Sequence, residues 1–308
     1  MALFTREEVL DLIQNKKVFY QSELSNLDLS SANVNLAQFP ETYLRGANLS
    51  DASCIKADFS RAILRFANLS NANLTSAILT KAEFNSSCLS HANLQETKAT
   101  KIKLYAAKLD NLEAAFASMT DADLRETIGN NCNFSGANLE RANLTKANLD
   151  RGNFSHANLK KAIAIQANLT RTIWRGANLA KVNFTQSDLT TADFSEADLV
   201  DANFTKAILT EANFTEAEMI EAILKQSILT RVNVTDASFL TADLEGATFT
   251  EIDFQGTILQ DANLENTVWH QVSFIDCNVD NALFTNAEGL TAEQKQWLRE
   301  NGALNVPE

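Results

Sequence analysis

Three histidines, four cysteines and 39 carboxylates are the side chains with which this chain could do chemistry. Histidine with cysteine or carboxylate makes a zinc ligand set. A base behind a serine or cysteine makes a nucleophilic centre, and carboxylates of shifted pKa serve as general acids and bases. Each device needs its members within a few ångström of one another. Which elements carry His91, His156 and His270, and Cys54, Cys88, Cys132 and Cys277, therefore decides the matter. No Gly-rich phosphate loop precedes a helix.

What carries them is a repeat. From Leu24 to Phe284 an inward-type residue recurs every fifth position in one phase, giving 53 consecutive pentapeptides, and Leu or Phe fills 41 of those centres. Two residues earlier stands a small residue, Ala in 33 cases, as in Ala47-Asn48-Leu49, Ala142-Asn143-Leu144 and Ala197-Asp198-Leu199. Asn or Asp lies between them in 27 cases. A helix of ~3.6 residues per turn would smear a five-residue spacing around its whole surface. A flat strand fails as well, because an odd period sends successive centres to opposite faces. The chain must turn once per pentapeptide, with the small residue and the centre inside and the other three positions outside.

This pattern resembles the pentapeptide-repeat family, whose motif is a small residue, Asn or Asp, Leu or Phe, and two polar positions. The likeness covers residues 22–286. It implies an all-β solenoid, a right-handed, quadrilateral parallel β-helix with four pentapeptides per coil. On that geometry the repeat makes about 13 coils and a rod of roughly 60–65 Å, its interior filled and without a ligand cavity. Phe134, Phe154, Trp174, Phe194, Phe214, Phe254 and Phe274 should stack ring over ring, interrupted by Val234. Leu149, Leu169, Leu189, Leu209 and Leu229 should form the neighbouring column.

The same arithmetic disperses the reactive side chains. His91 and His156 fall ~16 Å apart along the axis and His156 and His270 ~27 Å apart. Neither a metal site nor a triad can be assembled from them. Cys54, Cys132 and Cys277 point inward, and Cys132 and Cys277 lie about seven coils apart, beyond disulfide reach. Free buried thiols suit a reducing cytoplasm. Asn-x-Ser/Thr triplets, as at Asn48 and Asn68, fall out of the repeat and carry no glycosylation signal. Carboxylates on a convex rod face water, where nothing tunes them for catalysis. Neither enzyme activity nor a cofactor is expected.

A solenoid has two open edges that must be covered. Thr5 and Glu8 have capping-box spacing, Phe4 and Val9 staple spacing, and an apolar stripe follows, so a helix is expected over roughly 6–16 within an N-terminal cap at 1–21. At 287–308 Thr291 with Gln294, then Trp297 and Leu298, then Gly302, mark a second capping helix and a tail. Members that protect gyrase imply a homodimer contact through such a cap. Between 97 and 131 the repeat degenerates: centres become Ala99, Ala114, Met119 and Gly129, and Ile102 and Leu112 occupy small-residue positions. A bulged, poorly packed belt is expected there.

The 308 residues are 45% apolar with 9 Gly and 2 Pro, which suits one continuous core better than a loop-rich assembly. Neither a signal peptide nor a membrane-spanning run is read from the sequence, and a cytoplasmic location is expected. The net charge of −13 disfavours direct nucleic-acid or membrane binding, yet its distribution is uneven. Residues 141–186 hold eight bases and one acid, while 187–286 hold 18 acids and three bases. A basic collar of Arg141, Lys161, Lys181, Arg151 and Arg171 thus precedes two acidic columns. One reads Glu196, Glu216, Asp236 and Asp276, the other Asp201, Glu221 and Asp261. Ile replaces Asn or Asp nine times, and Ile208, Ile223 and Ile228 form a candidate apolar patch.

Two readings follow. The first is a non-enzymatic interaction protein that presents charged columns on a rigid rod, similar to the many such proteins of cyanobacteria. The second, implied by family members that look like B-DNA to type II topoisomerases, is a mimic that binds DNA gyrase through the acidic coils. Duplex DNA carries one charge per ~1.7 Å, so a whole rod would need about 36 negative charges. Residues 187–286 alone carry −15 over ~24 Å, where duplex DNA would carry about 14.

Overall fold

In the computed structural model, which describes residues 4–308, the five-residue period becomes a five-residue bend. Within each unit the Asn/Asp-type residue of most pentapeptides is extended and bridges, in parallel, the residue twenty positions later: Asn48 pairs with Asn68, Asn68 with Cys88. The centre residue then turns. Ala47 N–H returns to the Leu44 carbonyl at 3.0 Å, and the residue before it, Gly46, has φ +66°. A single positive φ at the third turn position is the type II pattern. Its N–H is not lost to the turn, since Asp51, with φ +57°, donates to the Ser70 carbonyl at 2.8 Å in the next coil. That bond offsets the cost of roughly 1–2 kcal/mol that a side chain incurs in the left-handed region.

The preference for Asn or Asp acquires a cause. The Oδ1 of Asn48 accepts the Ser50 N–H at 3.2 Å, and Asn73 and Asp188 hold Thr75 and Thr190 in the same way at 3.0 Å. This side-chain cap secures the entry to each turn. The amide nitrogens also link coils, as Asn213 Nδ2 does to Asp193 Oδ1 at 2.9 Å.

Two compact units divide the chain, Met1–Asn158 and Leu159–Glu308, and each is a parallel β-helical solenoid. In the first, bridges run from Val18 with Gln38 to Asn138 with Asn158. The helix α1 (Arg6–Gln14) covers its open edge, with the Thr5–Glu8 capping box formed. Val9 is fully buried, Phe4 meets Phe19 edge-on, and Arg6 satisfies the carbonyls of Asp28 and Ser30 at 3.1 and 2.7 Å. The rings of Phe19, Phe39 and Phe59 stack at 5.2 Å steps, as do Phe134 and Phe154 at 5.1 Å.

The expected bulge at 97–131 is a point of correction. The twenty-residue register runs through it without a break, from Lys98 with Ser118 to Glu113 with Asn133, and Ile102, Leu112 and Met119 are fully buried. Volumes compensate: where Ile102 and Leu112 enlarge the small position, the neighbouring centres are Ala99 and Ala114. Gly129 is a centre with no side chain because the Cys132 thiol fills its space; a Cβ there would lie 2.7 Å from that sulfur.

In the second unit bridges start at Ile163 with Asn183. Trp174, Phe194 and Phe214 stack at 5.9 and 4.9 Å, and Phe254 and Phe274 at 5.6 Å. A second ladder, Phe184 over Phe204 at 5.2 Å, meets the first edge-on. Both tryptophans of this core hang from a threonine two residues earlier: Trp174 Nε1 donates to Thr172 at 2.7 Å and Trp269 Nε1 to Thr267 at 2.8 Å. The ladder becomes true strand at β1 (Ile228–Thr230), β2 (Thr248–Thr250) and β3 (Val268–His270), a parallel sheet in the order β1-β2-β3. There the following small position holds Val232, Ile252 or Val272, and the return bond of the turn is not made. Branching favours extended backbone without imposing it, since Val182 and Ile102 at the same position make the return bond at 3.0 Å.

At the far edge α2 (Ala292–Glu300) starts from the Thr291–Gln294 capping box. Trp297 stacks on Phe274 at 5.9 Å and so ends the ladder, while Gln294 Nε2 donates to the Val272 carbonyl at 2.7 Å. The residues after α2 are more than a tail. Leu304 bridges Leu283, and Phe284 N–H donates to the Leu304 carbonyl at 2.9 Å, so the chain supplies its own last edge strand.

Phe194 lies fully buried between two rings, and Phe194→Ala should cost about 3–5 kcal/mol in urea unfolding. Thr267→Val, nearly isosteric, should cost roughly 1–3 kcal/mol by orphaning the Trp269 N–H, with no loss of the circular-dichroism signature.

Candidate interaction surface

Every residue of the two acidic columns and of the basic collar occupies the left-handed turn position. Glu196, Glu216, Asp236 and Asp276 have φ between +54° and +59°, Asp201, Glu221 and Asp261 between +56° and +58°, and Arg141, Arg151, Lys161, Arg171 and Lys181 between +57° and +62°. The turn points each side chain away from the core, and all are exposed except Asp201, which is half-buried. Polar residues at this position give the filled solenoid a hydrated exterior.

The pairing of these charges differs from their distribution along the sequence. Arg141 is held by Asp121 at 2.7 Å and by Glu140, which raises its pKa, and its guanidinium holds the Asp121 carboxyl below the usual range. Arg151 lies 3.8 Å from Asp150 and Lys181 3.5 Å from Asp201. Arg175 reaches Glu196 at 2.6 Å. Arg141, Arg151 and Lys181 of the collar are therefore paired, and Glu196 and Asp201 are spoken for. Further along, Lys225 bridges Asp243 and Glu245 at 2.8 and 3.0 Å, hydrogen bonds that push its pKa up to about 12. Arg231 bridges Glu211 and Glu251. The carboxylates that make no ion pair among the described residues are Glu216, Asp236 and Asp276 of one column and Glu221 and Asp261 of the other. Gly256 breaks the first column, and the Asp236 carboxylate lies over it: a Cβ there would sit 2.1 Å from Oδ1.

Ile208 and Ile228 are bridge partners one coil apart, 40% and 46% exposed, so the two make one contiguous apolar strip. Ile223 is half-buried on the adjoining face, bridging Asn203 and Asp243. Missed in the sequence are half-buried Val200, Ile220 and Leu240, which recur at twenty-residue steps just before Asp201, Glu221 and Thr241. Their period matched the repeat, but as outward positions they carried no motif.

All four cysteines are free. Burial pushes the thiols of Cys54, Cys132 and Cys277 up to about 12. Partial burial acts the same way on Cys88, but hydrogen bonding with Ser70 at 3.1 Å and with Ser90, and the charge of Lys108, outweigh it and hold that thiol below its ordinary value. At pH 8 a thiol reagent should label one cysteine in the native protein, Cys88, and all four after unfolding in urea, as mass spectrometry of the digest can read. No group of three His, Cys, Asp or Glu among the described residues is placed to hold a metal ion, and no described helix is long and apolar enough to cross a membrane.

Comparison with known proteins adds a family to this geometry. The profile of pentapeptide repeats matches residues 22–53, 52–90, 87–125, 130–163, 164–195, 187–226, 197–236, 227–268 and 252–288. Among solved structures the chain is similar to HetL, a pentapeptide repeat protein involved in heterocyst differentiation regulation from the cyanobacterium Nostoc sp. strain PCC 7120. Identity there is 21% over 91% of this chain and 97% of that one, at a TM-score of 0.21. It is also similar to a trypsin-treated variant of QnrB1, a plasmid-mediated fluoroquinolone resistance protein, at 20% identity over 69% of this chain and 94% of the other, TM-score 0.35. Rfr23, a pentapeptide repeat protein of the cyanobacterium Cyanothece 51142, is 18% identical over 47% and 89%, TM-score 0.19. No curated protein sequence matches the chain.

Proposed function

Since this chain belongs to the pentapeptide-repeat family, whose profile spans residues 22–288, we propose that it is a non-enzymatic interaction scaffold acting in the cytoplasm. Its four-sided, right-handed coils, about 13 of them, present side chains to a protein partner. One observation carries this reading: the charged columns stand at outward turn positions, while the interior is filled by Leu, Phe and Ala with single Thr, Ser and Cys side chains among them. A filled core offers no cleft in which to desolvate a substrate. The residues assigned to partner contact are the unpaired carboxylates Glu216, Glu221, Asp236, Asp261 and Asp276, with Ile208 and Ile228 beside them. Lys161 of the collar joins them, and the exposed Ile275 next to Trp297 suits a homodimer contact at the C-terminal cap. Free thiols support the cytoplasmic assignment.

The second reading is a local DNA mimic that binds DNA gyrase. It is supported by the net charge of −15 over residues 187–286, and weakened by Lys225 and Arg231, each of which draws two of the carboxylates there into ion pairs. Purified gyrase decides between the two. Under the scaffold reading micromolar protein leaves supercoiling unchanged, whereas a mimic inhibits it and loses that effect on replacing Glu216, Asp236 and Asp276 by their amides. Cross-linking in native lysate should join the wild-type second unit to a partner, and the five-carboxylate amide variant with Ile208→Asn and Ile228→Asn should lose it. Equal cross-linking by both proteins would remove these residues from the assignment.

A further inference from the structure

The two acidic columns border one face of the second unit, and the middle of that face is apolar. Four stretches of chain, 196–201, 216–221, 236–241 and 256–261, lie one above another across it, joined by the bridges of Asp198 with Glu218, Glu218 with Ser238 and Ser238 with Ile258. Each stretch begins at the left-handed position of the first column and ends at that of the second. The outward residue just before the second column is Val200, Ile220 or Leu240, each half-buried and one coil above the last. Ile258, 38% exposed, extends this ridge into the next coil.

The four stretches hold eight carboxylates and neither lysine nor arginine. Arg175 takes Glu196 and Lys181 takes Asp201, both at the end nearer the collar. Asp198, Glu216, Glu218, Glu221, Asp236 and Asp261 make no ion pair among the described residues. Lys206, Lys225 and Arg231 stand elsewhere round the coil, and the last two hold carboxylates outside these stretches. Asp198 and Glu218 are direct bridge partners, a like-charge pairing that destabilises a sheet. The complement of this face is an apolar ridge with a row of cations on each side. Its form follows from two constraints. The backbone of the face is already paired, since Glu218 N–H donates to the Ala197 carbonyl at 3.0 Å, Leu199 N–H to the Glu218 carbonyl at 2.8 Å and Glu221 N–H to the Leu240 carbonyl at 3.0 Å. A partner therefore cannot join as a strand and must be read by its side chains. The second constraint is pitch: coils step by ~4.8 Å, and a helix ridge, at ~5.4 Å per turn, drifts only about 1.2 Å between Val200 and Leu240. An extended segment, showing one side chain per ~6.8 Å, drifts about 4 Å over the same span.

From these features we infer that this face docks a basic, amphipathic α-helix of a partner protein, lying along the stack of coils. Its apolar ridge packs on Val200, Ile220 and Leu240, and lysines or arginines on its two flanks meet Glu216 and Glu218 on one side and Glu221 on the other. The ridge supplies the affinity, as in helix-in-groove recognition, while the charges fix orientation and speed encounter. A second copy of this chain does not offer such a helix: α1 carries Glu7, Glu8 and Asp11 against Arg6, and α2 balances Glu293 and Glu300 with Lys295 and Arg299. The inference rests on the scaffold reading and gives its partner a chemistry and a shape, adding Asp198, Glu218 and the Val200, Ile220 and Leu240 ridge to the contact surface.

The probe is a fluorescein-labelled, blocked peptide of about five helical turns, with leucine at i, i+3, i+4 and i+7 spacing, lysine on both flanks and alanine elsewhere. Titrated with the full-length protein at physiological salt and read by fluorescence anisotropy, it should bind saturably and gain helical circular dichroism. Two controls of equal charge, one with its leucines spread round the helix and one with prolines in place of two alanines, should each bind at least about tenfold more weakly. In the protein, Ile220→Thr with Leu240→Thr, and separately Glu218→Gln with Glu221→Gln, should each cost at least about tenfold. Both pairs should keep the wild-type melting temperature, since the side chains point outward and threonine already occupies the equivalent position at Thr80, Thr100 and Thr120. Equal binding of either control peptide, or full binding by either double variant, would overturn the proposal. So would displacement of the peptide by spermine at matching concentration, which would mark a general polycation site. Ile208→Asn with Ile228→Asn, on another face, should leave helix binding unchanged, and a loss there would move the site off this face and overturn the assignment. Because the peptide is titrated directly, failure of the scaffold reading in lysate and failure of helix docking are read separately.

Discussion

The twenty-residue step of the parallel bridges is the constraint on which everything else rests. Because Asn48 must meet Asn68 and Asn68 must meet Cys88, every chemical choice made at one position is repeated directly above and below it. Rings fall over rings, amides over amides and charges over charges. A residue therefore has to suit its vertical neighbours as well as its own pentapeptide, which is why aromatic centres run in ladders and why volume gained at Leu112 is given up at Ala114. Repetition of this kind makes stability approximately a sum over neighbouring coils. It also leaves raw edges, which the first unit covers with α1 and the second with α2 and with the strand-like segment at Leu304.

The left-handed residue of each turn links that architecture to function. It is the conformationally costly position, and it is also the one whose side chain is carried furthest from the core. The backbone bond to the next coil holds it regardless of side-chain type, so almost any polar residue is admitted: Lys161, Glu216 and Asn281 adopt nearly the same φ. Surface chemistry can thus vary along the repeat without disturbing the core. Phe66 and Phe116 show how far this tolerance reaches.

Much of the architecture was legible in the sequence because the period is local and exhaustive. The inward identity of Leu, Phe and Ala and the two capping boxes at Thr5 and Thr291 follow from spacing, and the ring stacking from spacing taken with the four-pentapeptide coil that the family resemblance implies. Degenerate repeats misled the reading at 97–131. Spacing records which residue stands at a position, whereas packing depends on the sum of two neighbouring volumes, and Ala99 with Ile102 fills the same space as a regular pair. The Trp–Thr bonds escaped notice for a related reason: threonine at the small position reads as a weak alanine until the indole N–H two residues on is seen to need an acceptor.

The sequence by itself determined the period, the inside and outside of the chain, the dispersal of His and Cys away from any common centre, and the segregation of charge along the repeat. Only the tertiary structure decided which of those charges are free. Arg141, Lys181, Glu140 and Glu196 are paired with partners one position or about one coil away, while Glu216, Asp236 and Asp276 are not, and Arg45 faces a ring in place of an acid. The physical reason is reach. Net charge along a sequence sums every group equally, but an ion pair or an open site depends on whether a flexible side chain at one turn can span to the coil above or below.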